Sequence, residues 1–259
     1  MNLIGHLLKI IILFPFWVMT TGCTSPSIDA ATEEQTAAAE PTDATTTSAA
    51  TNTPQERTAA PVATPDTVVL PATLQKIAQA EGDLNKDGQP ELMLVVDDLQ
   101  SAGDFGTSRR IQIYRLENGQ WQRWDEFRGG ILSSESGGMM GDPFEAITIE
   151  RGTIVIEHFG GSRYKWRYTH RFRYQNGRWE LIGATTLYGT PCEYWKTYDY
   201  NLSTGTVEVT EVLEDCDTEK ETTNKFSFKH SIKPLPELHG FEPGATAVPM
   251  PKGKEDFYF

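Results

Sequence analysis

The chain has 259 residues, 38% of them hydrophobic and 10% aromatic, enough to bury one substantial core. Its formal net charge of −13 gives an acidic surface that repels phosphate backbones. General nucleic-acid binding is thereby disfavoured, as is a cationic membrane-surface role, and solvation is the simplest account of the acids.

The first 22 residues carry one cation, Lys9, an apolar run from Ile10 through Phe14 to Val18 and Met19, and small residues before Cys23. Pro15 interrupts that run, which is shorter than the roughly 20 residues of a spanning helix, so the reading is an export signal rather than a permanent anchor. Thr21-Gly22-Cys23 resembles a lipobox, where the signal peptidase of the lipoprotein class cuts before an acylated cysteine. The resemblance implies a lipid on Cys23 and a place in the cell envelope, at the outer membrane facing the periplasm in a Gram-negative host. An ordinary secretory signal cut near the same point is the alternative, and either way the chain leaves the cytosol. Residues 23–68 are mostly Ala, Thr, Ser and Pro with no aromatic side chain, too poor in apolar surface to offset the entropy of ordering. They read as a disordered tether reaching about 35 to 40 Å as a flexible coil.

From residue 69 to 233 the punctuation is that of a mainly β domain. A short helix is expected at Leu74–Ala78, just after Pro71. Next comes the most chemically specific segment, Asp83-Leu84-Asn85-Lys86-Asp87-Gly88-Gln89-Pro90-Glu91. Oxygen-bearing side chains at its positions 1, 3, 5 and 9, with glycine at position 6 for the sharp turn, suit a single hard cation. Position 12, where an EF-hand needs a bidentate Glu, is Leu94, which excludes that motif. The loop and the strand Leu92–Val96 that follows instead resemble the calcium loop of FG-GAP and VCBS repeats, the integrin-like modules of exported proteins. That resemblance covers residues 82–97 alone and implies Ca²⁺ held by the side chains of Asp83, Asn85, Asp87 and Glu91 and the carbonyl of Gln89. No second copy follows, so the propeller of that family does not carry over. The alternative is a polar turn in which the same side chains bind backbone N–H groups.

Short alternating runs then flank two-residue turn signals. Asn118-Gly119 separates Ile111–Tyr114 from Trp121–Trp124, Arg151-Gly152 separates Ile147–Ile149 from Ile154–Ile156, Asn176-Gly177 separates Phe172–Tyr174 from Trp179–Leu181, and Thr204-Gly205 precedes Val207–Val209. Asn-Gly supplies the positive φ angles of a type I′ hairpin. Nine or ten antiparallel strands are expected, in hairpins or a meander forming a sandwich, an open barrel or a partial-propeller-like sheet. The stretch from Pro234, with Pro236, Pro243, Pro249 and Pro251, reads as an extended, loosely packed tail over 234–259.

Strict alternation over residues 163–174 places Tyr164, Trp166, Tyr168, His170, Phe172 and Tyr174 on one face and Lys165, Arg167, Arg171 and Arg173 on the other. Tyr164, Trp166 and Tyr168 are a candidate binding strip, since aromatic faces stack on sugar rings. The competing reading makes the aromatics core and pairs the cations with acids across strands. Cys192 and Cys216, in an oxidising compartment, are expected to form a disulfide closing a loop of about 25 residues and contributing about 3 kcal/mol, with two free thiols the alternative.

No catalytic constellation is recognisable. Ser136 in Glu135-Ser136-Gly137-Gly138 has no histidine before it except His6, which leaves with the signal. His158, His170, His230 and His239 lack metal-ligand spacing. The expectation is therefore a non-enzymatic, lipid-anchored envelope protein whose β domain, braced by calcium, engages an envelope polysaccharide or protein partner. An exported glycoside hydrolase is the alternative, because such chemistry needs only two suitably placed carboxylates.

Overall fold

The computed structural model describes residues 68–259. The expected export signal 1–22, the candidate lipid site Cys23 and the expected tether, as far as residue 67, lie outside the described residues. Among the described residues no helix is long and apolar enough to cross a membrane.

The domain is mainly β, with thirteen strands in three antiparallel sheets. A four-stranded meander contains β1 (Leu74–Gly82), β2 (Glu91–Gly103), β3 (Gly106–Glu117) and β4 (Gln120–Phe127). A seven-stranded meander follows: β5 (Phe144–Glu150), β6 (Thr153–Gly161), β7 (Lys165–Gln175), β8 (Arg178–Thr190), β9 (Tyr194–Asn201), β10 (Thr206–Asp215) and β11 (Lys220–Lys229). The short pair β12 (Ala247–Val248) and β13 (Phe257–Tyr258) lies near the C-terminus. Every strand in the two meanders pairs with its neighbours in sequence, and the turn chemistry explains why. Asn118-Gly119, Arg151-Gly152 and Asn176-Gly177 all have φ between 51° and 75°, the doubly positive signature of a type I′ turn.

Met93, Val95, Ile111 and Ile113 of the first sheet share one core with Ile147, Ile154, Ile156, Phe172 and Leu181 of the second. The opposite side of β2, with Leu92, Leu94 and Val96, is buried under Tyr114, Val68, Leu70 and Trp121, so that strand has two apolar faces.

Two expectations are corrected. Leu74–Ala78 is not a helix but the start of β1, with Leu74 opposite Asp98 and Ala80 opposite Met93. A five-residue helix is marginal alone, whereas strand pairing lets Leu74 pack on one side of the sheet and Ile77, Ala78 and Ala80 on the other. The second correction concerns 234–259, which is not loosely packed. Leu235, Leu238, Phe241, Val248, Met250, Phe257 and Phe259 are all buried in the main core. Its irregular backbone is tied down residue by residue: the N–H of Leu181 donates to the carbonyl of Pro236, that of Leu238 to Trp179, and that of Gly130 to Phe241. At Gly129 a Cβ would lie 2.5 Å from the carbonyl oxygen of Leu238, so only glycine admits this crossing.

Candidate functional site

Strand register turns the aromatic alternation of β7 into a two-dimensional surface. Trp166 pairs with Tyr188 of β8, which pairs with Lys196 of β9; one row deeper, Tyr168 pairs with Thr186, which pairs with Tyr198. Directly paired residues share a face, so these six side chains form a patch on the side of the sheet that faces the core. At the next row, His170 and Tyr200, the same face is fully buried. The C-terminal segment rises over one side of the patch with Gly244 and Glu255–Tyr258. A cleft of about 390 Å³ remains between them, within the size range of small-ligand sites.

Its walls are held firmly. Trp166 and Tyr168 stack at 4.9 Å between ring centroids, and Tyr198 stacks on Phe257 at 4.3 Å. A Cβ on Gly160 would come within 2.3 Å of the Trp166 indole, so the glycine of β6 lets that ring lie against the sheet. Thr186 donates its hydroxyl to the carbonyl of Tyr258 and pins the tail to the cleft floor. Burial, reinforced by Glu211 and Glu255, pushes the Tyr198 phenol up to about 12, and burial also raises Tyr168. Both phenols therefore remain protonated donors at any physiological pH. Lys196 and Glu255 supply charge in the cleft. Asp256 also lines it, but its Oδ1 accepts the Met250 N–H at 3.3 Å.

Of the three residues of the sequence-predicted strip, Trp166 and Tyr168 line this cleft and Tyr164 lies outside its lining. Tyr164 is 42% exposed, Trp166 and Tyr168 are half-buried, and His170 and Phe172 further along are core. The core reading thus holds for His170 and Phe172, while the Tyr164 end of the strand is left accessible. Missed in the sequence were Tyr188, Lys196, Tyr198 and the tail residues Glu255 and Phe257. The period-two spacing of Tyr194, Tyr198 and Tyr200 was available as a signal; the tail wall had none.

In the acidic loop, Asp83, Asn85, Asp87 and Glu91 converge within one turn. Asp83 accepts the N–H groups of Lys86, Asp87 and Gly88. Asn85 accepts the N–H of Asp87, and Asp87 that of Gln89. Glu91 is buried and accepts the Leu84 N–H at 2.7 Å, while the Asn85 amide bridges Asp87 and Glu91 at 2.9 and 2.8 Å. Burial raises Glu91, with the charges of Asp87 and Asp83 adding to the effect; the N–H of Gln89 and the Asn85 amide lower Asp87. Arg115 approaches Glu91 at 3.9 Å. Among the described residues no group of three or more His, Cys, Asp or Glu side chains is arranged to hold a metal ion. Calcium would have to displace the Asn85 amide from between the two carboxylates.

Cys192 and Cys216 stand at disulfide distance, their sulfurs 2.09 Å apart, between the β8–β9 and β10–β11 connections. A polar cluster around the buried Arg109 also lies away from the cleft. Arg109 bonds Asp97 and, through both terminal nitrogens, Asp142 at 2.7 and 2.6 Å. Comparison with protein-family models, curated proteins and solved structures finds no match to the chain.

Proposed function

We propose that the protein is a non-enzymatic binding module of the cell envelope, tethered through a lipid on Cys23, whose aromatic cleft holds a sugar ring of an envelope polysaccharide. The observation that carries this reading is the cleft itself, in which fixed aromatic faces meet phenol hydroxyls and a few charged groups. Aromatic faces bind the C–H surface of a sugar, and the hydroxyls and Lys196 answer its polar edge. The reading is non-enzymatic because the cleft's carboxylates, Glu255 and Asp256, are consecutive residues on one wall. Hydrolysis by a carboxylate pair needs acids on both sides of the scissile bond, and Asp256 is already engaged by Met250.

Retention on insoluble peptidoglycan, cellulose and chitin tests the reading, using the full-length protein in detergent. Wild type is expected to be retained on at least one, and Trp166→Ala to be lost from it with its melting temperature unchanged within a few degrees. A wild-type protein retained on none would sink the proposal. Palmitate labelling in the native host tests the anchor, with incorporation expected in wild type and absent in Cys23→Ala.

The acidic loop is proposed to be a structural Ca²⁺ site. Support comes from the charges of Asp83 and Asp87 acting on the buried Glu91, which a divalent cation drawing these groups together would offset better than Arg115 at 3.9 Å. Calorimetric titration is expected to give one site that disappears in both Asp83→Ala and Asp87→Ala. No heat at millimolar calcium would leave a turn closed by backbone N–H groups alone.

A further inference from the structure

The cleft is open at one end, and what lies there is patterned. One row further from the core than Trp166 and Tyr188, the register pairs Thr190 with Tyr194, and Tyr164 precedes β7 on the same face. Tyr164 and Tyr188 stack nearly parallel, 5.9 Å between centroids and 12° between planes, and Tyr188 lies 6.3 Å from Tyr194. These three rings form a shelf beside the cleft. Tyr188 belongs to both, lining the cleft and forming the centre of the shelf. Its exposure of 38%, like the 42% of Tyr164, contrasts with the buried Tyr198 at the closed end.

Electrostatics limit what can lie along this path. Glu255 and Asp256 stand in the cleft. Beside the shelf, Arg163 lies 5.9 Å from the Tyr164 ring and is bonded to Glu193. Lys196 is 5.3 Å from the Tyr194 ring and is the one ammonium among the cleft-lining residues. A polymer with a carboxylate or phosphate on every unit would meet two acids for that one cation, within a chain of net charge −13.

We propose that the cleft and the tyrosine shelf together bind consecutive residues of a neutral polysaccharide, one ring in the cleft and the next on Tyr164, Tyr188 and Tyr194. This rests on the saccharide reading of the cleft and adds to it the length and charge of the ligand. A polymer of that kind passes over the open end without having to terminate there. Each added stacking contact contributes on the order of 1 kcal/mol, so occupying the shelf raises affinity roughly fivefold to tenfold.

Calorimetry on the full-length protein tests this with glucose and N-acetylglucosamine and their β-linked oligomers of two to four residues, beside a galacturonate trimer. Affinity is expected to rise from monomer to dimer or trimer and then level off, with the galacturonate trimer weaker than both neutral trimers. Tyr164→Ala is expected to remove the rise while leaving monomer affinity as in wild type, and Trp166→Ala to remove binding at every length. Equal affinity at all lengths, with Tyr164→Ala silent, would overturn the shelf and leave the cleft standing. Tighter binding of the galacturonate would overturn the neutral ligand. Failure of every sugar to bind would overturn this inference together with the function it rests on.

Discussion

His170 is fully buried, and neither of its ring nitrogens has a hydrogen-bond partner among the described residues. His158, equally buried, accepts the Leu132 N–H through Nε2 at 3.2 Å, and its Nδ1 has no such partner. Burial, with the positive charge of Arg109 helping and Asp142 opposing, lowers His158 to about 4. Burial, followed by His158 and Arg171, lowers His170 to about 3. Both are neutral when folded, whereas in the unfolded chain they titrate near 6.5. Above that pH neither state takes up the protons and folding is not opposed. As pH falls below it, the unfolded chain binds two protons that the folded one refuses, and stability falls by about 1.4 kcal/mol per pH unit for each histidine. Asp142, held low by the Arg109 fork despite its burial, gives way only at lower pH. Urea midpoints between pH 6 and 5 should therefore drop steeply, and His170→Leu should roughly halve the slope; equal slopes would show that the imidazoles do not carry the effect. The cysteine pair offers a second test. Its 24-residue separation predicts a loss of about 3 kcal/mol on reduction, read as a Tm lower by roughly 6 to 12 °C and absent in a Cys192→Ser, Cys216→Ser double variant. The histidines had no legible role in the sequence, because a period-two pattern reports which face a residue takes and not how deep that face is buried.

At the scale of elements, what could be read depended on how local the cause was. Asn118-Gly119 and Asn176-Gly177 make turns by their own backbone preferences, so both hairpins were visible from four residues each. Leu74–Ala78 went the other way, since pairing with β2 decides its conformation and β2 begins only at Glu91, beyond the acidic loop. Prolines misled in the tail. Pro234, Pro236, Pro243, Pro249 and Pro251 do forbid a long strand, yet irregular backbone can still carry a regular supply of large apolar side chains to a sheet. Phe259 is 0% exposed and packs edge-on to Tyr200 at 5.7 Å. Phe259→Ala is expected to cost about 3 to 5 kcal/mol and to lower Tm by roughly 10 °C in thermal denaturation, a loss out of reach for a residue in a loose tail.

Over the whole molecule, the aromatic strip was legible as a pattern but its site was not. A cleft needs a floor from three strands and a wall from the tail, and only register and long-range packing bring Trp166, Tyr198 and Phe257 together. The acidic loop was the reverse case, complete within nine residues and visible at once. One edge of the large sheet is β11, where Lys220, Lys225 and Lys229 are exposed and guard the free side of the strand against edge-to-edge association. Because both large sheets are meanders, each strand meets its partner across a short turn and can zip onto it quickly. The docking of 235–259 across β7–β9 is different, joining residues far apart in the chain, as when Thr186 meets Tyr258. Such a contact is expected to form late on the route to the native state, so weakening it should hasten escape from that state more than it slows arrival. In a chevron plot Phe257→Ala would raise the unfolding arm and leave the folding arm nearly in place. The wall that shapes the cleft would then also set the lifetime of the folded protein.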